Sequence, residues 1–333
     1  MRCFLTSSLK VVAFGIAIVW ITAVPLAAQT GTAQAKPSAG AKAWTAPKTA
    51  WGHPDLQGIW TNTTTTPLER LPEAADKQVL TDEERVDLAR KVAQRVNADT
   101  RRPGQVGAYN EFWFERGTLN SRTSLIVDPP DGKVPAYTAE GQKRWEGIEA
   151  ARKAHPADSW LDRSSYDRCI TRGMPGAMLP GFYNHNYHIL QTPQYVAIIV
   201  EMIHDARIIP LDGRPHTPVR QWLGDSRGHW EGDTLVVETT NFNDKVFERS
   251  NTVASFGSGS RLVERFRRVD ADTIDYQVTI EDPRMFTKPW TVATPMSRAE
   301  GRLFEYACHE GNYAMPHILS AARAEEQGAA QKK

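Results

Sequence analysis

The groups best suited to proton transfer lie in one stretch, Gly181 to Pro215, which reads GFYNHNYHILQTPQYVAIIVEMIHDARIIPLDGRP. Three runs rich in Val, Ile, Leu, Tyr and His are separated by Thr-Pro-Gln and Asp-Ala, punctuation that predicts a three-stranded antiparallel meander. The middle run, Tyr195 to Ile203, is apolar at both parities except for Glu201. A strand apolar on both faces is covered on both, so Glu201 is expected in a dry place, where an unpaired carboxylate is costly or stays protonated. A turn made of Thr192, Pro193 and Gln194 sets His185 opposite Glu201, with Tyr187 on the same face. A His, a Tyr and a Glu so placed would act as general acid and base. The plainer alternative is a satisfied polar pair in a core, and a one-residue change in the turn undoes the pairing.

A second inward carboxylate comes from the hairpin Arg261 to Ile280, turned by Asp270-Ala271-Asp272. One of its faces carries Leu262, Glu264, Phe266, Ile274, Tyr276, Val278 and Ile280; the other carries Arg265, Arg267, Asp275, Gln277 and Thr279. Glu264 therefore points inward among apolar groups. His185, Tyr187, Glu201 and Glu264 are the candidate catalytic residues, because stability alone would place apolar residues at such positions.

Candidate ligand contacts surround them. Trp60, Trp230 and Trp290 come from separate strands or turns and would wall a flat apolar molecule. Arg207 beside the Asp205-Ala206 turn, and Asp225 with Arg227 flanking Ser226, would orient an anionic or carbonyl-bearing ligand; solvated turns are the alternative. A last hairpin pairing Trp290–Met296 with Arg302–Glu310 sets Trp290 opposite His309 and Thr294 opposite Glu305, which brings Glu305 and His309 to the same wall.

Other chemistries find little support. His185 and His188 fall on opposite faces of a strand, and no zincin spacing occurs, so no metal site is expected. There is no Gly-x-Ser-x-Gly elbow, and GMPGAMLPG is interrupted by Pro and followed by no Gly-Lys-Ser/Thr. No cofactor is implied. With 40 basic and 39 acidic side chains and a net charge of +1, the chain has no general bias toward nucleic acid.

These groups must be positioned by a chain of 333 residues, enough for one large or two ordinary domains. Arg2 and Lys10 flank the start, Val11 to Val24 is apolar, and small residues follow, the pattern of a secretory signal cleaved after Ala28 or Ala35. The apolar run is short for a membrane span and no second one follows, so periplasmic or secreted protein is expected with no span after cleavage. Residues 29–50 read as a disordered linker, 51–320 as a single β-rich domain, and the chain from Ala321 as a frayed tail. Thr81 with Glu84 makes a capping box for a helix reaching about Ala98, and a second helix begins after Thr138 and runs to about Ala154. Arg122 to Val127 reads as a strand. Once Cys3 leaves with the signal, Cys169 and Cys308 are the two remaining Cys and are expected to form a disulfide, with two buried thiols as the alternative.

About ten strands in consecutive hairpins, many with one polar face, predict a mainly β fold. The expected form is an antiparallel meander forming a barrel or strongly curved sheet, with two helices inserted before the main sheet. Gly58-Ile59-Trp60 resembles the Gly-x-Trp of the first lipocalin strand. The phrases DLQGIW, DPPDGKVPAYT, EMIHDARIIPLDGRPH, WEGDTLVVETTNF and EYACHEGN resemble a family of secreted bacterial proteins common in acidobacteria, from about Trp51 to Asn312. That resemblance implies export and a shared β core and brings no activity with it. Two function classes follow. In one, inward acid/base groups act as a lyase, isomerase or hydrolase on a small apolar or aromatic molecule. In the other, the protein binds a ligand or serves the envelope structurally, without chemistry.

Overall fold

A computed structural model describes residues 44–74, 77–100, 110–246 and 257–331. The expected signal peptide and the linker up to residue 43 lie outside the described residues. From Trp44 the chain already packs: Ala46 is buried and Lys48 bridges to Pro54, so the linker reading fails for residues 44–50.

Ten strands make one antiparallel sheet: β1 (Gly58–Thr61), β2 (Ile126–Asp128), β3 (Asn186–Gln191), β4 (Tyr195–Val200), β5 (Ala206–Pro210), β6 (Asp225–Glu231), β7 (Thr234–Thr240), β8 (Arg261–Arg268), β9 (Thr273–Glu281) and β10 (Trp290–Arg298). Their order is β5-β4-β3-β1-β10-β9-β8-β7-β6, a nearly closed, lipocalin-like barrel. β2 shares an edge of β10 with β1: β1 pairs at Ser297 and Arg298, β2 at Thr291 and Val292. The expected Arg122–Val127 strand is thus reduced to a short pairing that begins at Ile126. Helices α1 (Asp82–Val96), capped by the Thr81/Glu84 box, and α2 (Ala139–Ala154), capped by Thr138, fall where the sequence sets them.

The order contains an odd number of strands. In an all-antiparallel path of nine, the two terminal strands β5 and β6 must run in the same direction. A parallel neighbour needs a crossover of about a dozen residues or more, and residues 211–224 supply it. No ladder joins β5 to β6 among the described residues. Side chains bridge the seam instead. Ile209 and Leu211 lie so close to Gly228 that an added Cβ there would sit 2.8 Å from each, and Arg207 donates from β5 to Ser226 of β6 at 3.4 Å.

The barrel interior is filled. Trp60, Tyr187, Ile189, Val196, Ile198, Leu262, Phe266, Tyr276, Val278, Ile280, Trp290 and Met296 belong to one core cluster, each with no accessible surface. A side chain without accessible surface borders no water-sized void, so these positions line no chamber. This overturns the expectation that Trp60 and Trp290 wall a ligand. Trp60 Nε1 donates to the Leu56 carbonyl at 2.9 Å, and Trp290 packs edge-on against Phe286.

Two further expectations fail at the C-terminal end. β10 is flanked by β9 on one edge and by β1 and β2 on the other, so no edge is left for residues 302–310. Trp290 pairs with Ile280 and Thr294 with Tyr276, while Glu305 and His309 are exposed on an irregular segment away from Trp290. The chain after it forms α3 (Ala314–Ala330), not a frayed tail; Arg323 ties it to the Ala157 and Asp158 carbonyls.

Candidate functional site

The β3–β4 turn decides the fate of the proposed acid/base set. Thr192 N donates to the Tyr195 carbonyl at 2.8 Å, leaving Pro193 and Gln194 as the turn, and Gln191 pairs with Val196. This register is one residue away from the expected one, and because side chains alternate, it exchanges every partner. Glu201 meets Asn186 instead of His185: its Oε2 accepts from Asn186 Nδ2 at 2.6 Å, and its Oε1 accepts from Phe304 N at 2.9 Å. The carboxylate is a buried anchor for the chain after β10, and the His185–Glu201 pair does not exist.

His185 belongs to a different chain of bonds. Arg172 Nη1 lies 2.8 Å from His185 Nε2, and His185 Nδ1 lies 3.3 Å from the Tyr187 hydroxyl. Tyr187 donates to Asn62 Oδ1 at 3.2 Å, and Asn62 Nδ2 donates to the Met178 carbonyl at 2.8 Å. An arginine has only donors, so Nε2 must accept and Nδ1 must carry the hydrogen. The polarity of the whole chain follows from that one fact. Burial first, then the Arg172 cation, lowers His185 to about 3, so the imidazole is neutral. Burial raises Tyr187 well above the ordinary phenol range. Arg172, which no sequence motif singles out, is the residue this chain of bonds holds. Its guanidinium lies 5.4 Å from the Tyr166 ring centre, and the Tyr166 hydroxyl meets those of Tyr183 at 2.7 Å and Tyr306 at 3.5 Å. The loop carrying these groups is tied down by the Cys169–Cys308 disulfide, as expected, and by Asp205, which accepts from Thr171 Oγ1 at 2.8 Å.

Glu264 faces the interior, as the hairpin alternation requires, and β8 pairs with β9 in the expected register. Its partner is Arg207, which the sequence reading set beside a turn as a ligand contact. Arg207 is 2% exposed and makes two parallel bonds to the carboxylate, Nη1 to Oε1 at 2.9 Å and Nη2 to Oε2. Tyr276 donates to Oε1 at 3.0 Å. Burial alone would lower Arg207, but the charge and hydrogen bonds of Glu264 outweigh it and hold the guanidinium above its ordinary value. Burial and the Glu264 charge together push Tyr276 far up. Every oxygen of Glu264 is engaged, and none is offered to a ligand.

Asp225 and Arg227 lie on strand β6, not on a turn. Asp225 Oδ1 accepts from Arg227 Nη1 at 2.6 Å and its Oδ2 from Thr217 N at 2.7 Å, with His216 Nδ1 at 3.3 Å. Together they clamp the 211–224 crossover onto the sheet. Trp230, half-buried, stacks on His53 with ring centres 5.1 Å apart.

Beside this clamp, where β5 and β6 begin, lies an open cleft of about 590 Å³. Two of the residues singled out in the sequence, Arg207 and Asp225, form part of its lining. The rest includes Ile208, Trp222 and Leu223 as apolar wall, Ser226 and Asn243 as hydrogen-bonding groups, and Arg220 and Lys245 as cations. Trp222, Arg220 and Lys245 carry no local signal in the sequence; the crossover brings the first two to the seam and the segment after β7 brings Lys245. Among the described residues no group of three or more His, Cys, Asp or Glu is placed to hold a metal ion, and no helix is long and apolar enough to cross a membrane.

No family model, curated protein or solved structure matches this chain. The functional reading therefore rests on the site alone.

Proposed function

We propose that this chain is an exported, non-catalytic binding protein that takes a small molecule with an apolar or aromatic body into the cleft between β5 and β6. Export from the cytoplasm and kinship with the secreted bacterial family belong to the same proposal. The carrying observation is the cleft itself. Its volume of about 590 Å³ falls within the range of about 300–1,000 Å³ usual for small-molecule sites, and it sets the apolar side chains of Ile208, Trp222 and Leu223 among polar and charged groups. Support for binding over turnover comes from the two groups best suited to proton transfer. Both nitrogens of His185 and both oxygens of Glu264 are already bonded inside the protein, at 1% and 0% exposure. Neither can reach a molecule in the cleft.

The test is a thermal-shift screen of the purified full chain against aromatic and terpenoid molecules, with chromatography to detect conversion. A ligand that raises the melting temperature should lose its effect in Trp222→Ala and in Ile208→Asp, both altered on the cleft wall. A ligand that stabilises both variants as well as the parent protein, or one that is consumed, overturns the proposal.

A further inference from the structure

The charges around the cleft do not cancel, and the excess specifies the ligand. Four of its lining residues are charged: Arg207, Asp225, Arg220 and Lys245. Two of them are spent within the fold. Glu264 takes the fork of Arg207, and Asp225 is satisfied by Arg227, Thr217 and His216. Arg220 is shared with Asp244 at 3.4 Å, a pair exposed to solvent on both sides and so of small worth. Lys245 makes no ion pair among the described residues and is exposed at the cleft edge. Among the described residues the balance is a cleft with about one uncompensated positive charge, set beside the indole of Trp222 and the 59% exposed side chain of Ile208. Asn243 adds an amide at the same place.

We infer that the ligand of this cleft is a monoanion, a carboxylate borne on a flat apolar body. Its carboxylate is held at the Lys245 and Arg220 side, and its body lies along Trp222 and Ile208. This inference rests on the cleft being the ligand site and adds the charge of what it takes. A dianion would exceed the charge on offer, while a neutral molecule would leave Lys245 without the interaction its placement provides. Such rim cations act through solvent and are screened by salt, so their contribution must fall as ionic strength rises.

A matched pair separates the charge from the body. Calorimetric titration of the full chain with naphthoate and with its neutral amide, naphthamide, at low salt should give at least about tenfold tighter binding of the acid. Lys245→Ala and Arg220→Ala, both exposed substitutions that should leave the melting temperature unchanged, should each narrow that ratio while the amide's affinity stays the same. Half-molar salt should narrow it in the parent protein as well. Equal affinity for acid and amide would overturn the inference and leave the cleft as a site for neutral ligands. A preference for the acid that survives in both variants also overturns it, because the anion is then held elsewhere. If neither molecule binds, both the inference and the reading of the cleft as a ligand site fall.

Discussion

Arg207 and Glu264, 57 positions apart in the chain, meet as a bidentate ion pair inside the barrel, with Tyr276 as a third member. The pair joins β5, one terminal strand, to β8, which lies beyond β7 from the other terminal strand. It does at the seam what a ladder does elsewhere in the sheet. The bond network also explains why a carboxylate occupies a position where alternation calls for an apolar residue: the cation it holds closes the barrel.

Removing one partner should cost far more than removing both. Glu264→Gln leaves a buried guanidinium without its counter-charge and is expected to lower unfolding free energy by roughly 3–5 kcal/mol. The triple replacement Arg207→Met, Glu264→Leu, Tyr276→Phe leaves no orphaned polar group and should recover most of that loss. Urea unfolding of the two variants measures the difference, and a Glu264→Gln protein as stable as the parent would count against the seam role.

The disulfide closes a loop across 139 positions and fixes the segment carrying Tyr166 to the one carrying Tyr306. In the chain-entropy account a loop of this length stabilises by roughly 4–5 kcal/mol. Cys169→Ser with Cys308→Ser should lower stability by an amount of that order. Thiol titration of the oxidised, denatured parent protein should find neither of these Cys free.

Acid should reveal two buried groups working in opposite directions. His185 titrates at about 3 in the fold against 6.5 in the unfolded chain, so between these values only the unfolded state holds the proton. Stability is therefore lost as pH falls from 6.5 toward 3, by roughly 5 kcal/mol at most. Asp205 is raised by burial to about 6 against 3.8, partly opposed by its bonds from Thr171 and the Arg172 backbone and by the charges of His204 and Arg207. Here the folded state takes the proton first, and stability is gained as pH falls from 6 to 3.8. Asp205→Asn should accordingly be more stable than the parent at pH 7 and lose stability more steeply on acidification. Parallel melting curves of the two proteins between pH 7 and 4 would refute this assignment.

Gly181 is a third point of leverage. A Cβ there would lie 1.8 Å from His185 Nε2, in the space through which Arg172 reaches the ring. Gly181→Ala should displace the imidazole, break the Arg172 bond and destabilise the fold by roughly 1–3 kcal/mol. Binding in the seam cleft should be unaffected. An unshifted melting temperature would show that the chain from Arg172 to Asn62 is not held as described.

What the sequence determined by itself is what is encoded over a few residues. The Thr81/Glu84 box and the Thr138 cap begin helices because capping chemistry acts within one turn. The Leu262–Ile280 alternation put Glu264 and Tyr276 inside because strand side chains repeat every two residues, and its turn fixed the register as read. The pairing of Cys169 with Cys308 needed only a count. The tertiary structure decided everything that depends on a partner far along the chain. A turn of Pro193 and Gln194 instead of one residue more moved Glu201 from His185 to Asn186, since a register step of one reverses both faces. Both edges of β10 were taken by β9, β1 and β2, which left Glu305 and His309 outside the sheet. The odd count of strands left β5 and β6 parallel and unladdered; the crossover this demands carried Arg220 and Trp222 to the cleft, and the chain leaving β7 added Lys245. Strand parity and sheet order are properties of the assembled barrel, and no local pattern of residues records them.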